Sequence, residues 1–253
     1  MLMPETTNYG RLKQNLEYLQ LWQMSTGLSD VLQEGADSHL STIEMMLRLT
    51  DLEVEKKQRN RAEMMVKVAC FPSPKTLDTF DFTFQPKIDE KQIRNLHELG
   101  FIDRQENIVF LGNSGVGKTH LAISLGMTAA RNRISTLFIK CNDLISNLHK
   151  AKTEHRLTDR LKFYAKQRLL IIDELGYLPL DDGDADLLFQ LIDMRYEKRS
   201  TIITTNAAFD EWPDILKDER VASAIVDRVL HHCTVISISG QSYRLKDYFT
   251  EEQ

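Results

Sequence analysis

The sequence predicts an α/β fold in which a doubly wound parallel sheet follows a small all-α N-terminal domain. From Ile108 onward, short apolar strand candidates alternate with helix-length segments, a pattern typical of a parallel sheet covered on both faces. The first 70 residues have only helical periodicity. Two prolines in segment 71–74 remove backbone donors and end any helix there. We therefore predict a helical domain at 1–70, a linker at 71–86 and an α/β domain at 87–253.

The composition is that of a globular protein, with 42% hydrophobic and 27% charged residues among 253. There is no run of about 18 apolar residues and no signal-peptide pattern at the N-terminus, so we expect a cytoplasmic protein with no membrane partner. Three cysteines lie far apart without a C-x-x-C pair, which argues against a disulfide framework or a zinc ribbon. A net charge of −5 argues against a polycation that coats nucleic acid, but it does not exclude a local basic surface.

The first 70 residues predict three helices. Leu12, Leu16 and Leu19 recur at helical spacing, and a second amphipathic segment around Leu28 ends near Gly35.

The third helix is predicted to begin at Ser41, because Glu44 completes an S-x-x-E capping box. Its predicted apolar face consists of Ile43, Met46, Leu47 and Val54. Beyond this face the helix becomes basic, and its candidate DNA contacts are Lys56, Lys57 and Arg59. A solvated helix face is the other interpretation of these charges.

The linker leads into a helix before the first strand. Phe80, Phe82 and Phe84 alternate, which favours either an extended strand or a tether lying on the α/β domain. Residues 88–99 are predicted to be helical, with Gly100 as the C-terminal cap.

A phosphate-binding loop follows the first strand of the α/β domain. Residues 112–119 read GNSGVGKT and match G-x-x-x-x-G-K-[ST] at every fixed position. The apolar strand 108–111 runs into the loop, and a helix at 120–131 runs out of it. This strand, loop and helix context is the one that the motif requires, so we predict a bound nucleotide, ATP with Mg²⁺.

The chemistry of the loop assigns roles to its residues. Glycines allow successive backbone N–H groups to surround the phosphates, next to the partial positive charge of a helix N-terminus. Lys118 bridges phosphate oxygens and Thr119 is a hydroxyl ligand for Mg²⁺. The predicted cofactor-binding residues are Gly112, Asn113, Ser114, Gly115, Val116, Gly117, Lys118, Thr119 and His120.

Alternating elements continue to the end of the chain. Strands are predicted at 135–139, 168–172, 201–205 and 234–238. Helices are predicted at 142–151, 181–197 and 221–230.

Polar side chains follow two of these strands. Asp173 and Glu174 come directly after a buried strand, and Asn206 directly follows the strand at 201–205. Ligands of open α/β sheets bind at the carboxyl ends of the strands. We therefore predict that Asp173 reaches Mg²⁺ together with Thr119 and that Glu174 polarises the attacking water. Asn206 would orient that water, although asparagine also favours turns.

The combined motifs identify a resemblance that covers nearly the whole chain. They are GNSGVGKT, LLIIDELG, TIITTN, the pair Asp227-Arg228 and the segment Ser242-Tyr243-Arg244. Together they resemble the IstB-type transposition helper ATPases, which are relatives of the DnaC and DnaI helicase loaders within the AAA+ initiator group. The fold implied is an AAA+ P-loop NTPase.

This resemblance implies roles for three arginines. Arg228 resembles the arginine finger, which in this family completes the active site of a neighbouring subunit of a homo-oligomer, and Arg220 is a rival for that role. Arg244 resembles the second sensor, while Asn206 would be the first. Lys118, Asp173, Glu174, Asn206 and Arg228 are thus the predicted catalytic residues.

A basic span lies between the second and third strands of the α/β domain. Residues 150–168 contain seven Lys or Arg and two acidic residues. Initiator-type relatives place an extra helix here that lines a nucleic-acid groove, whereas a solvated or intersubunit face is the alternative. The candidate DNA contacts are Lys150, Lys152, Arg156, Arg160 and Lys162.

The resemblance implies an ATPase that oligomerises on duplex DNA and regulates a transposase. A replicative helicase loader of the DnaC or DnaI type is the nearest alternative, because it shares every ATPase motif. A P-loop kinase for small molecules and a nucleotide-binding scaffold without turnover are further alternatives. The paired Asp173 and Glu174, together with Asn206 and the candidate arginine finger, favour hydrolysis in an oligomer over the kinase.

Overall fold

A computed structural model of the chain describes residues 7–177, 181 and 183–245. The chain divides into two compact units, Met1–Met64 and Met65–Gln253. The division falls within one long helix, a few residues before the predicted boundary at Phe71. Within the described residues, no helix is long and apolar enough to cross a membrane.

The first unit contains the three predicted helices. They are α1 (Asn8–Tyr18), α2 (Trp22–Asp37) and α3 (Thr42–Val68), which continues into the second unit. A small core forms between them from Leu16, Met24, Leu28, Val31 and Leu49. The capping box is confirmed, because the Glu44 amide donates to Ser41 Oγ at 3.3 Å and the Ser41 amide donates to Glu44 Oε2 at 2.7 Å.

The predicted apolar face of α3 does not form the core of this unit. Ile43 is 73% exposed and Leu47 is 55% exposed, whereas Leu49 on another side of the helix is 5% exposed. The helix is long and carries two apolar stripes, so the periodicity alone did not distinguish which stripe packs inward.

The second unit is built on a five-stranded parallel sheet with the order β2-β3-β4-β1-β5. The strands are β1 (Asn107–Gly112), β2 (Thr136–Lys140), β3 (Leu169–Leu175), β4 (Ser200–Thr205) and β5 (Cys233–Ile238). All were predicted from the sequence to within three residues at each end. Helices connect them, as a doubly wound sheet requires.

Helices cover both faces of this sheet. In chain order they are α4 (Glu90–Leu96), α5 (Gly100–Asp103), α6 (Lys118–Arg131), α7 (Cys141–Thr153), α8 (Leu157–Ala165), α9 (Asp184–Arg195), α10 (Trp212–Leu216) and α11 (Glu219–Leu230). Alternate strand residues point to opposite faces. Ile108 and Phe110 pack with α4 to α6, while Val109 packs with α7 to α11.

Before β1, one expectation is wrong, and the structure decides between two alternatives for the linker. Gly100 does not cap the preceding helix, because α4 ends at Leu96 and Leu99 takes the left-handed turn (φ +64°) while Gly100 begins α5. The Phe80 segment forms no strand: a 3₁₀ turn at Leu77–Thr79 precedes it, and Phe80 and Phe82 pack against the core beside α6. This agrees with the tether interpretation, in which ring burial replaces strand pairing.

Candidate functional site

A cavity of about 570 Å³ opens at the carboxyl ends of β1, β3 and β4. Three parts of the second unit surround it. They are the phosphate loop with the start of α6, the polar residues that end the strands, and two flanking segments, the linker and the C-terminal residues Tyr243 and Arg244. The cavity therefore lies where open α/β sheets bind ligands.

The phosphate loop has the backbone that the motif predicts. Gly115 and Gly117 have φ angles of +80° and +106°, a region that glycine adopts without steric cost. A side chain at Gly117 would also collide with the Phe80 ring, 2.6 Å from the position of a Cβ atom. Helix α6 begins immediately after it, at Lys118, so its free N–H groups face the cavity.

The Lys118 side chain folds across this loop. Its Nζ donates to the carbonyl oxygens of Gly112 at 2.6 Å and Asn113 at 2.7 Å. Burial lowers the pKa of the Lys118 ammonium, an effect that nearby Asp173 opposes. A phosphate would replace the carbonyl oxygens as a better partner for this cation, because it carries a full negative charge.

Asp173 lies behind the cavity lining, where the hydroxyl groups of two lining residues hold it. Thr119 Oγ1 donates to its Oδ1 at 2.8 Å and Thr204 Oγ1 donates to the same oxygen at 2.6 Å. Only 1% of Asp173 is exposed, and burial raises the pKa of its carboxyl group despite these hydrogen bonds. Removing a carboxylate from water is costly, so a metal ion bound beside Asp173 would stabilise its charged form.

The oxygens of Thr119 and Asp173 fit Mg²⁺. Both are hard donors, and their separation of 2.8 Å is close to the roughly 3 Å between adjacent corners of an octahedron with bonds of about 2.1 Å. These two residues would hold the ion together with phosphate oxygens.

Glu174 differs from its neighbour in backbone and environment. Its φ is +61°, an uncommon value for a residue with a side chain, and the β3–β4 register shifts at this point. The Glu174 amide donates to Thr204 Oγ1 at 2.9 Å. Its carboxylate pairs with Lys140 Nζ at 2.9 Å and is 38% exposed at the cavity.

Thr204 and Lys140 were missed by the sequence analysis. Thr204 contacts both acids and is fully buried. Its place next to the carboxyl end of β4, the edge at which open α/β sheets bind ligands, was the sequence signal of this role. Lys140 ends β2 and lies opposite Asp173 in the parallel register, which no feature of the sequence indicated before the strand order was known.

Asn206 and His120 both line the cavity, as predicted. Asn206 directly follows β4 and is exposed. His120 contacts the linker: its Nε2 lies 2.9 Å from Thr76 O and 3.3 Å from Thr79 Oγ1, and the Phe80 ring meets its edge at 5.3 Å. Burial lowers the pKa of His120. Its observed contacts thus join the phosphate loop to the linker.

The C-terminal segment is attached to the same loop. The Tyr243 amide donates to Gly115 O at 2.9 Å, and Gln85 Nε2 of the linker donates to Gln241 O at 3.0 Å. Arg244 lines the cavity and lowers the pKa of Lys118 by charge repulsion. It therefore lies within reach of phosphates bound in its own chain.

Arg228 lies at the opposite edge of the sheet. Asn107, the first residue of β1, donates from Nδ2 to Val229 O at 3.0 Å, so the end of α11 adjoins the amino ends of the strands. The six residues of β1 span roughly 17–20 Å between this edge and the cavity. Arg228 Nε donates to Asp193 Oδ1 at 2.9 Å and its guanidinium covers the Phe189 ring.

The rival arginine occupies the other end of the same helix. Arg220 is exposed in the first turn of α11, and none of the described residues pairs with it. Because α11 leads into β5, its first turn lies toward the carboxyl edge and its last turn toward the amino edge. The two arginines therefore project from opposite ends of the sheet.

The candidate DNA contacts lie outside the cavity. Lys150 and Lys152 are exposed at the end of α7, and Lys162 is exposed on α8. Arg156 pairs with Glu154, and half-buried Arg160 covers the Phe163 ring at 5.6 Å. In the first unit, Lys56, Lys57 and Arg59 are exposed on α3, with Lys57 Nζ 3.6 Å from Glu53.

This fold and site define a class of protein. A parallel sheet with β1 between β4 and β5, a phosphate loop between β1 and α6, and two acids ending β3 are the features of an AAA+ P-loop nucleotide-binding domain. A family model described as "IstB-like ATP binding protein" matches residues 14–250. The chain belongs to this IstB-like family.

Individual relatives agree with this membership. The chain is 56% identical over 245 residues to an ATP-binding protein of insertion sequence IS232 from Bacillus thuringiensis subsp. berliner, covering 97% of this chain and 98% of the relative. An ATP-binding protein of insertion sequence IS5376 from Geobacillus stearothermophilus is 42% identical over 243 residues, covering 96% and 97%.

Solved structures are similar over the part with the AAA+ fold. The DnaC helicase loader matches with a TM-score of 0.51 and 28% identity, over 58% of this chain and 86% of the loader chain. AMPPCP-bound DnaA from Aquifex aeolicus is similar in fold, with a TM-score of 0.56 and 18% identity over 72% of this chain and 56% of that chain.

Proposed function

We propose that this protein is an ATPase that assembles on duplex DNA in its ATP-bound state and regulates the transposase of an insertion sequence. The observation that carries the ATPase part is the shared hydrogen bonding of Thr119, Asp173, Thr204 and Glu174 beside the phosphate loop. It supports a site that holds a metal–phosphate complex on one side and a water-activating acid on the other.

In the proposed mechanism the phosphate loop orients the nucleotide. The N–H groups at the start of α6 and the Lys118 ammonium bind the phosphates. Thr119 and Asp173 would hold Mg²⁺, which would neutralise charge on the phosphate oxygens. Glu174 accepts a proton from the attacking water as it approaches the γ-phosphate, and Asn206 holds that water in line.

Arg228 is the residue through which ATP hydrolysis would depend on oligomer assembly. Because Arg228 lies a strand length from the cavity of its own chain, its proposed role is to offset charge on the nucleotide of a neighbouring molecule. Turnover would then depend on oligomer formation, and loss of the γ-phosphate would loosen the contact. A nucleotide can favour assembly only by binding the assembled state more tightly than the dispersed one.

The DNA part of the proposal depends on charge. The exposed cations of α7 and α8 form a positive surface on a protein of net charge −5, and a ring of such surfaces would follow a DNA backbone. Contacts of this kind bind phosphates with little sequence preference and weaken steeply with salt.

The transposase partner is supported by the relatives. Both relatives described above are named as insertion-sequence proteins and match over nearly the whole chain, helical unit included. A helicase loader is the second candidate, because the DnaC loader is 28% identical over 58% of this chain. The lower identity and coverage make it the weaker one.

The test is ATP turnover with duplex DNA, single-stranded DNA or none, for wild type and Glu174→Gln. We expect duplex DNA to stimulate wild type most, and the variant to bind ATP but hydrolyse it at least about a hundredfold more slowly. Preference for single strands would favour a loader. Unchanged hydrolysis in the variant would refute the role of Glu174, and phosphorylation of an added metabolite without a DNA effect would favour a kinase.

A further inference from the structure

We propose that Phe163 is a wedge residue that inserts between base pairs of bound duplex DNA and kinks it. The inference rests on the proposed DNA function and adds a contact that phosphate binding does not require. It starts from an aromatic side chain that the fold leaves in solvent in the middle of the basic span.

Helix α8 places Phe163 away from the protein interior. Leu161 and Tyr164 are 5% and 2% exposed and face the core, whereas Phe163 is 37% exposed. Residues 161 and 163 differ by about 200° around a helix, so the Phe163 ring projects from the side opposite Leu161. The Phe163 ring meets the buried Tyr164 ring edge-on at 5.2 Å, and its exposed third lies among charged groups.

Two cations flank this ring. The Arg160 guanidinium lies 5.6 Å from the Phe163 ring centroid, and Lys166 Nζ lies 5.3 Å from it. Cation–π contacts alone would hold these groups together. The same arrangement also suits a duplex, because cations on either side of an inserted ring meet the phosphates that flank the opened base step.

The base of α8 is firmly attached to the sheet. Arg195, 1% exposed, donates from Nη1 to the carbonyl oxygens of Tyr164 at 3.0 Å and Gln167 at 2.8 Å, and from Nε to Thr201 Oγ1 at 2.9 Å. These bonds tie the end of α8 to the start of β4. A wedge needs such a rigid support, since a mobile ring would yield rather than unstack bases.

The occupant that best fits this surface is a duplex. The surrounding lysines and arginines require a polyanion, and an apolar ring inserted from the groove opens one step at a free-energy cost that distributed phosphate contacts offset. A single strand could stack on the same ring, and a second copy of the protein could cover it. The experiment treats these as contrary outcomes.

The test measures deformation separately from binding. A duplex labelled at both ends for energy transfer, with 2-aminopurine at internal steps, is mixed with the full chain and a non-hydrolysable ATP analogue. Phe163→Ala is expected to reduce two signals at least fivefold: the change in energy transfer, which reports bending, and the 2-aminopurine signal, which reports unstacking of bases. The salt dependence of its affinity for duplex DNA should equal that of wild type. Phe163→Leu, which keeps an apolar wedge, is expected to retain most of both signals.

The matched control is Lys162→Ala, a neighbouring exposed residue. It should weaken binding and reduce the salt dependence while leaving the deformation at saturation intact. Unchanged melting temperature and nucleotide binding show that each variant is folded. If Phe163→Ala deforms the duplex as wild type does, the wedge role is wrong. The wedge role is also wrong if the variant loses more affinity for single strands than for duplex, or if its particle size without DNA differs from that of wild type. Failure of wild type to bind duplex would overturn the proposed DNA function as well.

Discussion

The two edges of the sheet are organised in different ways. At the carboxyl edge, Asp173 is buried and its oxygen already accepts hydrogen bonds from Thr119 and Thr204. At the amino edge, Arg228 is held by Asp193, whose side chain is 53% exposed. The Asp173 carboxylate is fixed by hydrogen bonds within one chain. The Arg228–Asp193 ion pair, in contrast, is partly exposed, so solvent can weaken it.

This difference indicates which part of the site can move. Arg228 is 26% exposed and also covers the Phe189 ring. A half-exposed ion pair and a cation–π contact contribute about 1 kcal/mol each, so Arg228 would leave them only for a stronger partner such as a phosphate of another molecule. Removing Asp173 from its hydroxyl partners would leave a buried charge unpaired, which costs more. A preformed half-site and a releasable arginine are what an ATPase completed by assembly needs.

Mixing two inactive variants tests most directly whether the two edges of the sheet act in different molecules. We expect Lys118→Ala and Arg228→Ala each to reduce DNA-stimulated hydrolysis by roughly a thousandfold. Mixed together, they should regain activity, because an interface with Lys118 from one chain and Arg228 from the other is complete. Random mixing makes roughly a quarter of the interfaces complete. ATP turnover at increasing ratios of the two variants measures the recovery.

Arg220→Ala is the matched control for this experiment. It removes an exposed arginine from the opposite end of α11 and should leave turnover within about threefold of wild type. If Arg220→Ala, and not Arg228→Ala, complements Lys118→Ala, the rival arginine is the one that acts between molecules. If neither mixture recovers activity, the active site is complete within one chain. The exposed ion pair of Arg228 would then have no role in assembly.

Much of the carboxyl edge could be predicted from the sequence. Apolar runs of strand length ended in polar residues, and parallel strands bring such ends together, so Thr119, Asp173, Glu174 and Asn206 were expected at one cavity. Thr119, Glu174 and Asn206 line the cavity, and buried Asp173 joins them through the Thr119 hydroxyl group. Their catalytic roles stay predictions.

The residues that were missed depend on strand order and loop packing. Lys140 meets Glu174 only because β2 lies next to β3, and periodicity indicates a parallel sheet without giving its order. Phe80 packs on Gly117 across 37 positions of sequence, and Leu99 takes the turn expected at Gly100 because tertiary packing overrides local preference. Such contacts are decided by the fold as a whole.

The second prediction concerns the cost of burying the Asp173 carboxylate at the carboxyl edge. Burial raises the pKa of this carboxyl group in the folded protein, so its contribution to stability is present below the unfolded pKa of about 3.9 and is lost as pH rises through the folded value. Asp173→Asn should therefore raise the melting temperature of the nucleotide-free protein at neutral pH by roughly 2–4 °C, about 1 kcal/mol. The gain should disappear toward pH 4.

Thermal melts from about pH 4 to pH 8, without and with Mg-ATP, check this expectation. Wild type should gain stability from Mg-ATP, and Asp173→Asn should gain much less, because a metal ligand is lost. Arg228→Ala should gain as much melting temperature from Mg-ATP as wild type does in these melts of dispersed protein. A lower melting temperature for Asp173→Asn at neutral pH would mean that its hydrogen bonds as a carboxylate outweigh the cost of its burial.

The smallest effect is expected at Lys140. Its ion pair with Glu174 raises the pKa of Lys140, so the lysine stays protonated and holds the carboxylate throughout the neutral range. Both side chains are partly exposed, at 50% and 38%, which limits the pair to about 1 kcal/mol. Lys140→Met should release Glu174 toward water and raise turnover without DNA by about two- to fivefold, the rate equivalent of that energy.

Turnover without and with duplex DNA measures this release, with Lys91→Met, an exposed lysine on α4, as the matched control. The control should match wild type, while Lys140→Met should show a smaller DNA stimulation because part of the activation is already present. A fall in turnover would mean instead that Lys140 stabilises charge on the nucleotide. In that case Lys140 would act on the nucleotide together with Lys118 and Arg244, and Arg228 of a neighbour would have less charge to offset.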